Sequence, residues 1–187
     1  MKQTQEIDGW FNYHQTYNVL VESISPNGIF VECGAWLGKS SSYLSDIISK
    51  KRPDITLYIV DSWLGSPAEI DTAHKLATET DIYKIFLKNM GDRKFIPIRK
   101  LSTEAAKEFT NESLDVVFID MSHEYEDVKI DLDTWLPKVK TGGYIAGHDR
   151  SWPGVKKAIL EKFNHNKKRL YSLPGDCWTY YKEGDIK

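Results

Sequence analysis

Gly28-Ile29-Phe30-Val31-Glu32-Cys33-Gly34-Ala35-Trp36-Leu37-Gly38 carries the chain from an apolar run into a glycine-punctuated turn. The run is short, β-branched and continuously apolar, as a strand buried on both faces should be. Beyond the turn come Ser40, Ser41 and Ser42, then Tyr43, Leu44, Ile47 and Ile48 at helical spacing. The order is strand, glycine turn, helix. Glycine lets the backbone turn sharply and approach a ligand closely, and the helix start offers unpaired N–H groups to anionic atoms. A bare Gly-x-x-x-Gly fits an ordinary strand-to-helix connection equally well, so its meaning depends on what surrounds it.

Outward from this stretch the pattern alternates. Before it, Trp10, His14, Tyr17, Val21 and Ile24 recur at helical intervals and predict an N-terminal helix within residues 1–24, closed by Ser25-Pro26-Asn27-Gly28. After it, strands are expected at Thr56–Val60, ending on Asp61, and at Phe95–Ile98, where Pro97 marks an edge. Further strands are expected at Leu114–Ile119, ending on Asp120, and at Tyr144–Ala146, after the turn Thr141-Gly142-Gly143 and before His148-Asp149. Between them, Ile82, Ile85, Phe86 and Met90 form one helical stripe, and Val128, Leu132, Trp135, Leu136 and Val139 another. Such β/α alternation predicts a mostly parallel sheet with helices on both faces. A helix with Val155, Ala158, Ile159 and Phe163 then leads to a closing antiparallel hairpin, 169–173 and 177–181, turning at Pro174-Gly175-Asp176. One domain over 1–187 is expected, with 28–149 as its core and 150–187 as the closing helix and hairpin. The stretch Ser62–Thr80, which lacks periodicity, is the candidate lid.

At 187 residues the chain can bury a core without disulfides or structural metal. Cys33 and Cys177 lie far apart, neither in a Cys-x-x-Cys pair, so both read as reduced and buried. A net charge of −2 with no long basic stripe argues against a general nucleic-acid surface. Lys50-Lys51-Arg52 and Lys167-Lys168-Arg169 read as solvated helix ends. The first six residues are no basic, apolar leader, and no apolar run is long enough to span a bilayer. The expectation is a soluble, cytoplasmic protein with no membrane partner; self-association stays open.

In open α/β sheets ligands bind beyond the carboxyl ends of the strands, so the polar residues there carry the function. Glu32 ends the first strand, Asp61 the second, Asp120 the fourth, and His148-Asp149 the fifth. An acid at the end of the second strand, downstream of a glycine turn, can accept hydrogen bonds from ribose hydroxyls; its plain alternative is a helix cap. Asp120 and His123 share one turn, where an imidazole can take a proton from a hydroxyl and a carboxylate can orient it or hold a metal. Asp120, His148 and Asp149 can converge on a divalent cation, the oxygens suiting magnesium and the imidazole admitting manganese. Asp149 alternatively caps the helix starting near Trp152-Pro153. Ser102 is a capping hydroxyl that can also touch a base, and Trp63 is either a stacking platform or a packed loop residue.

Taken in order, these motifs resemble the class I S-adenosylmethionine-dependent methyltransferases, from about Gly28 to Asp149. They are most similar to the branch with the macrocin-type sugar O-methyltransferases, on Ile119-Asp120-Met121-Ser122-His123-Glu124-Tyr125-Glu126, Trp135-Leu136-Pro137, Gly142-Gly143 and Gly147-His148-Asp149. The resemblance implies a three-layer Rossmann-like fold with a mostly parallel seven-stranded sheet and a C-terminal antiparallel hairpin. It implies that Glu32, Gly34, Ala35 and Gly38, with Ser40 or Ser41, surround the methionine part of S-adenosylmethionine. Asp61 would hold the ribose, Ser62, Trp63 and Ser102 would lie near adenine, and Asp120 would border the cofactor as well as the chemistry. His123 would be the base. Asp120, His148 and Asp149 would be the ligands of Mg2+ or Mn2+, although His148 stands where metal-dependent relatives often carry an acid or amide. The implied activity is O-methylation of a sugar, glycan or other small hydroxyl compound. A nicotinamide-dependent oxidoreductase is the rival, but Gly-x-Gly-x-x-Gly is absent and Trp36 would crowd a pyrophosphate. A non-catalytic cofactor-binding module of the same fold is the other.

Overall fold

The computed structural model describes residues 2–65, 76 and 79–184. The proposed lid, Ser62–Thr80, therefore falls largely outside the described residues. Seven strands form one sheet: β1 (Ile29–Cys33), β2 (Thr56–Asp61), β3 (Ile96–Arg99), β4 (Leu114–Ile119), β5 (Val139–Gly147), β6 (Leu170–Leu173) and β7 (Cys177–Tyr181), in the order β3-β2-β1-β4-β5-β7-β6. The first five run parallel, and the β6–β7 hairpin adds to β5 antiparallel. Pro97 lies on the edge strand β3, where its missing N–H costs no ladder bond. Chain direction along the sheet reverses between β1 and β4, and a crevice opens beyond the carboxyl ends of strands at such a switch point.

Helices α1 (His14–Ser23), α2 (Lys39–Lys51) and α3 (Ile82–Met90) cover one face; α4 (Ser102–Ala105), α5 (Tyr125–Trp135) and α6 (Pro153–Lys162) cover the other. Strand side chains alternate between the faces. Phe30, Val116 and Ala146 enter the core beneath α1–α3, while Val31, Val117 and Ile145 enter the core beneath α4–α6. This is the three-layer Rossmann-like arrangement that the resemblance implies. Both cysteines are buried and unpaired. Among the described residues no helix is long and apolar enough to cross a membrane.

Several boundaries differ from the sequence reading. Helix α1 starts only at His14, and Trp10 is 72% exposed, so Trp10 belongs to no core stripe. Val139 opens β5 instead of closing a helical stripe, and Thr141-Gly142-Gly143 lies within that strand. A register shift between Leu114 and Val116 accommodates this pairing. Lys50 and Lys51 do end α2, but Arg52 turns inward and donates to the carbonyls of Ile24 and Ser25. Lys167–Arg169 lies in a 3-10 turn, not at an α-helix end.

Candidate active site

The crevice is built first from the β1–α2 turn. Gly34 has φ +95°, and a Cβ there would stand 1.7 Å from the Asp120 carbonyl oxygen, so only glycine lets this turn pass the end of β4. The turn hangs on Asp61, whose Oδ2 accepts from the backbone N–H of Ala35 (2.8 Å) and Trp36 (3.0 Å) while Oδ1 accepts from that of Trp63 (2.7 Å). The Trp63 indole N–H donates to the Trp36 carbonyl at 2.9 Å. Trp63 is 2% exposed, its ring packed on Tyr83 and Phe86. The ring is packed in its loop. Ser62 Oγ accepts from the N–H of Leu64.

Glu32 points into the core. It is fully buried, with Oε1 accepting from the Tyr17 hydroxyl (2.7 Å) and Oε2 from the Ser41 hydroxyl (2.5 Å). Burial raises its pKa to about 7 against the opposing pull of those donors. Ser40 and Ser41 are buried beside it. Ser102 does not cap α4, whose N-cap is Leu101; its hydroxyl donates to Asp131 (2.6 Å) and accepts from the Trp135 indole (2.8 Å). Burial raises the pKa of Asp131 to about 6.

Across the crevice, the ends of β4 and β5 bring four titratable side chains together. His123 Nε2 lies 2.7 Å from Asp149 Oδ2. His148 Nδ1 lies 3.1 Å from the same oxygen and 3.5 Å from Asp120 Oδ1. The Tyr13 hydroxyl donates to Asp120 Oδ2 at 2.6 Å. Asp149 has φ 55° and, instead of capping α6, gives its carboxylate to the two histidines; Trp152 is the N-cap residue, without a side-chain cap. Positive φ also occurs at Trp36 and Trp63, so three strained non-glycine residues border this one edge.

For His148 burial disfavours the charge, but the hydrogen bonds and charges of Asp120 and Asp149 outweigh it and raise the pKa to about 10. For Asp149 burial works upward, and the two histidines pull the carboxyl well below the usual carboxylate range. His148 Nε2 and Trp178 Nε1 are buried with no partner, and both residues line one small cavity with Asp120, His123 and Asp149. The His123 ring stacks at 4.7 Å on Trp152, which is 51% exposed. Among the described residues the side chains able to share a metal are Asp120, His123 and Asp149, with ligand atoms within 4.8 Å of one another. That group contains His123 where the sequence suggests His148, whose Nδ1 also lies near both carboxylates.

A methyltransferase-domain family model matches residues 31–150, which run from β1 through the turn, Asp61 and Asp120 to the residue after Asp149. The chain belongs to this methyltransferase family. Its fold is that of the class I, S-adenosylmethionine-dependent methyltransferases. A curated relative from Sinorhizobium fredii, uncharacterized protein y4gI, is 28% identical over 131 residues, covering 70% of this methyltransferase and 14% of the relative's length. The O-methyltransferase NovP has a similar fold at 20% identity, covering 91% of this chain and 79% of that one, with TM-score 0.68. CalS11, a TDP-rhamnose 3'-O-methyltransferase, is similar at 14% identity, 90% and 76% coverage and TM-score 0.58. An rRNA methylase from Streptococcus thermophilus is similar at 14% identity, 91% and 96% coverage and TM-score 0.57.

Three residues bordering this methyltransferase's crevice escaped the sequence reading as site residues. Tyr17 read as core stripe, Trp152 as a helix start, and Tyr13 drew no notice. The available signal was Tyr13 and Tyr17 one helical turn apart, since a buried phenol needs an acceptor.

Proposed function

We propose that this methyltransferase O-methylates a sugar, glycan or other small hydroxyl compound. The observation that carries the reading is the cluster of Asp120, His123 and Asp149 at the ends of β4 and β5, a carboxylate-held imidazole beside a second carboxylate. The resemblance in fold to NovP and the TDP-rhamnose methyltransferase CalS11 supports it.

In this reading the turn Gly34–Gly38 lies along the methionine end of the cofactor. Glu32, Ser40 and Ser41 brace it from below. Asp61, Ser62 and Ser102 line the ribose and adenine side. The bound cofactor supplies an electrophilic methyl on a sulfonium. Transfer of that methyl to the acceptor oxygen would break the S–CH3 bond and leave S-adenosylhomocysteine; His123 takes the hydroxyl proton while Asp149 orients the ring and stabilises its positive charge. Asp120 borders the reacting groups. The indole of Trp152, half exposed beside His123, gives the acceptor's ring a flat apolar face.

The donor set also fits Mg2+ or Mn2+, which Asp120, His123 and Asp149 would hold and which would lower the acceptor hydroxyl's pKa. With Asp149 holding Nε2, the acceptor's proton would go to Nδ1, and metal dependence decides whether His123 serves as base or as ligand.

The test is transfer of labelled methyl from S-adenosylmethionine to a panel of nucleoside-diphosphate sugars, free sugars, catechol and rRNA, with Mg2+, Mn2+ or chelator. Label in a sugar or catechol ether is expected. Label in RNA alone, or binding of NADH in place of S-adenosylhomocysteine, would overturn the reading.

A further inference from the structure

We propose that Tyr13 is a positioning residue of the methyl-transfer site, its hydroxyl holding the Asp120 carboxylate in a single orientation. The inference rests on Asp120 belonging to the reacting site, as proposed above. Tyr13 comes from the N-terminal segment, outside the stretch that the family model matches. It is 1% exposed, and its hydroxyl donates to Asp120 Oδ2 at 2.6 Å. A phenol-to-carboxylate bond of that length is charge-assisted and directional. With Oδ2 held by Tyr13, Oδ1 of the same carboxylate lies toward His148 Nδ1.

The tyrosine is itself locked. Its ring stacks on Phe118 of β4 at 5.3 Å and lies 4.6 Å from the ring of His148. Phe11 and Tyr17 meet it edge-on. Behind it the β6–β7 turn closes so tightly that a Cβ on Gly175 would come 2.7 Å from Tyr13 Cβ. The phenol therefore has one accessible position, and it imposes that position on Asp120. One residue ahead of α1 thus connects the N-terminal segment and the closing hairpin to the end of β4.

Tyr13→Phe keeps the ring and its packing and removes only the donor. Loss of such an outer contact typically lowers activity about 10- to 100-fold. The expected result is a kcat loss of that size, with the dissociation constant for S-adenosylhomocysteine within twofold of wild type and a second Asp120 rotamer in a crystal structure of the variant. Thr16→Val, which removes a buried hydroxyl bond from the same segment without touching Asp120, controls for stability alone and is expected to retain kcat. Three results overturn the inference: a Tyr13→Phe kcat within twofold of wild type, an Asp120 that keeps its orientation in the variant, or an equal kcat loss in Thr16→Val. The crystallographic arm needs no acceptor, so it tests Tyr13 even if every hydroxyl acceptor fails. Failure of the acceptors counts against the proposed function instead.

Discussion

The two banks of the crevice are both lined by carboxylates, yet they are built differently. At the β1–α2 bank, Asp61 and Glu32 have both oxygens occupied by donors from the chain itself: three backbone N–H groups for Asp61, two hydroxyls for Glu32. At the β4–β5 bank, two carboxylates share two imidazoles and a phenol, and buried polar atoms of His148 and Trp178 remain without partners. Buried polar groups are normally satisfied, and the exceptions call for an explanation. The first bank is a braced cradle, and the second is the cluster proposed to carry the reaction.

Breaking the second bank should have the largest effect. His123→Ala is expected to lower turnover about 100- to 10 000-fold, the usual contribution of a positioned general base. Affinity for S-adenosylhomocysteine by calorimetry should stay within twofold, because His123 stands on the opposite bank from Asp61. A comparable loss of affinity would join the two banks into one unit.

Next in size is a pH effect at the cradle. Glu32 is an acid whose folded pKa is raised from 4.5 to about 7. Between those values the folded state holds a proton that the unfolded state has released, so stability falls as pH rises through the window and then levels off. At 1.36 kcal/mol per unit this amounts to something on the order of 3 kcal/mol. Glu32→Gln should remove that slope, and the variant should gain on wild type between pH 4.5 and 7.5 in denaturant titrations. Parallel pH curves would show that Glu32 titrates normally.

Asp61→Asn replaces an acceptor of three N–H groups by an amide that must turn an NH2 toward at least one of them. A cost of about 1–3 kcal/mol in stability follows. A roughly tenfold loss of cofactor affinity should accompany it, with kcat at saturating cofactor near wild type. If kcat falls instead, the cradle takes part in the chemistry. The smallest effect is expected at Trp152→Ala, where the acceptor's KM should rise about tenfold or less, the worth of one aromatic contact, with no change in cofactor binding.

The fold was readable where residue pattern and burial coincide. β1, β2 and β4 are mainly apolar runs, although β1 extends one residue past Glu32 to Cys33, and Pro97 and the 174–176 turn marked the edge and the hairpin through backbone chemistry alone. Val139 and Trp10 misled because apolar spacing does not show which element a boundary residue joins. At the site, the sequence named Asp120, His123, His148 and Asp149 but not their pairing. Which histidine sits with both carboxylates depends on how far β5 extends past β4, and no local spacing encodes that. Trp63 was undecidable because an indole after a strand packs or stacks according to its neighbours. For Tyr13 the spacing to Tyr17 hints at a buried phenol but not at its acceptor, which lies 107 residues away.

The separation of cradle from reactive cluster is tested most directly by one paired measurement on His123→Ala: transfer of labelled methyl at saturating S-adenosylmethionine, and calorimetric binding of S-adenosylhomocysteine by the same preparation. The prediction is loss of transfer by at least about 100-fold with binding unchanged. Transfer at the wild-type rate would contradict it and remove the β4–β5 cluster from the chemistry.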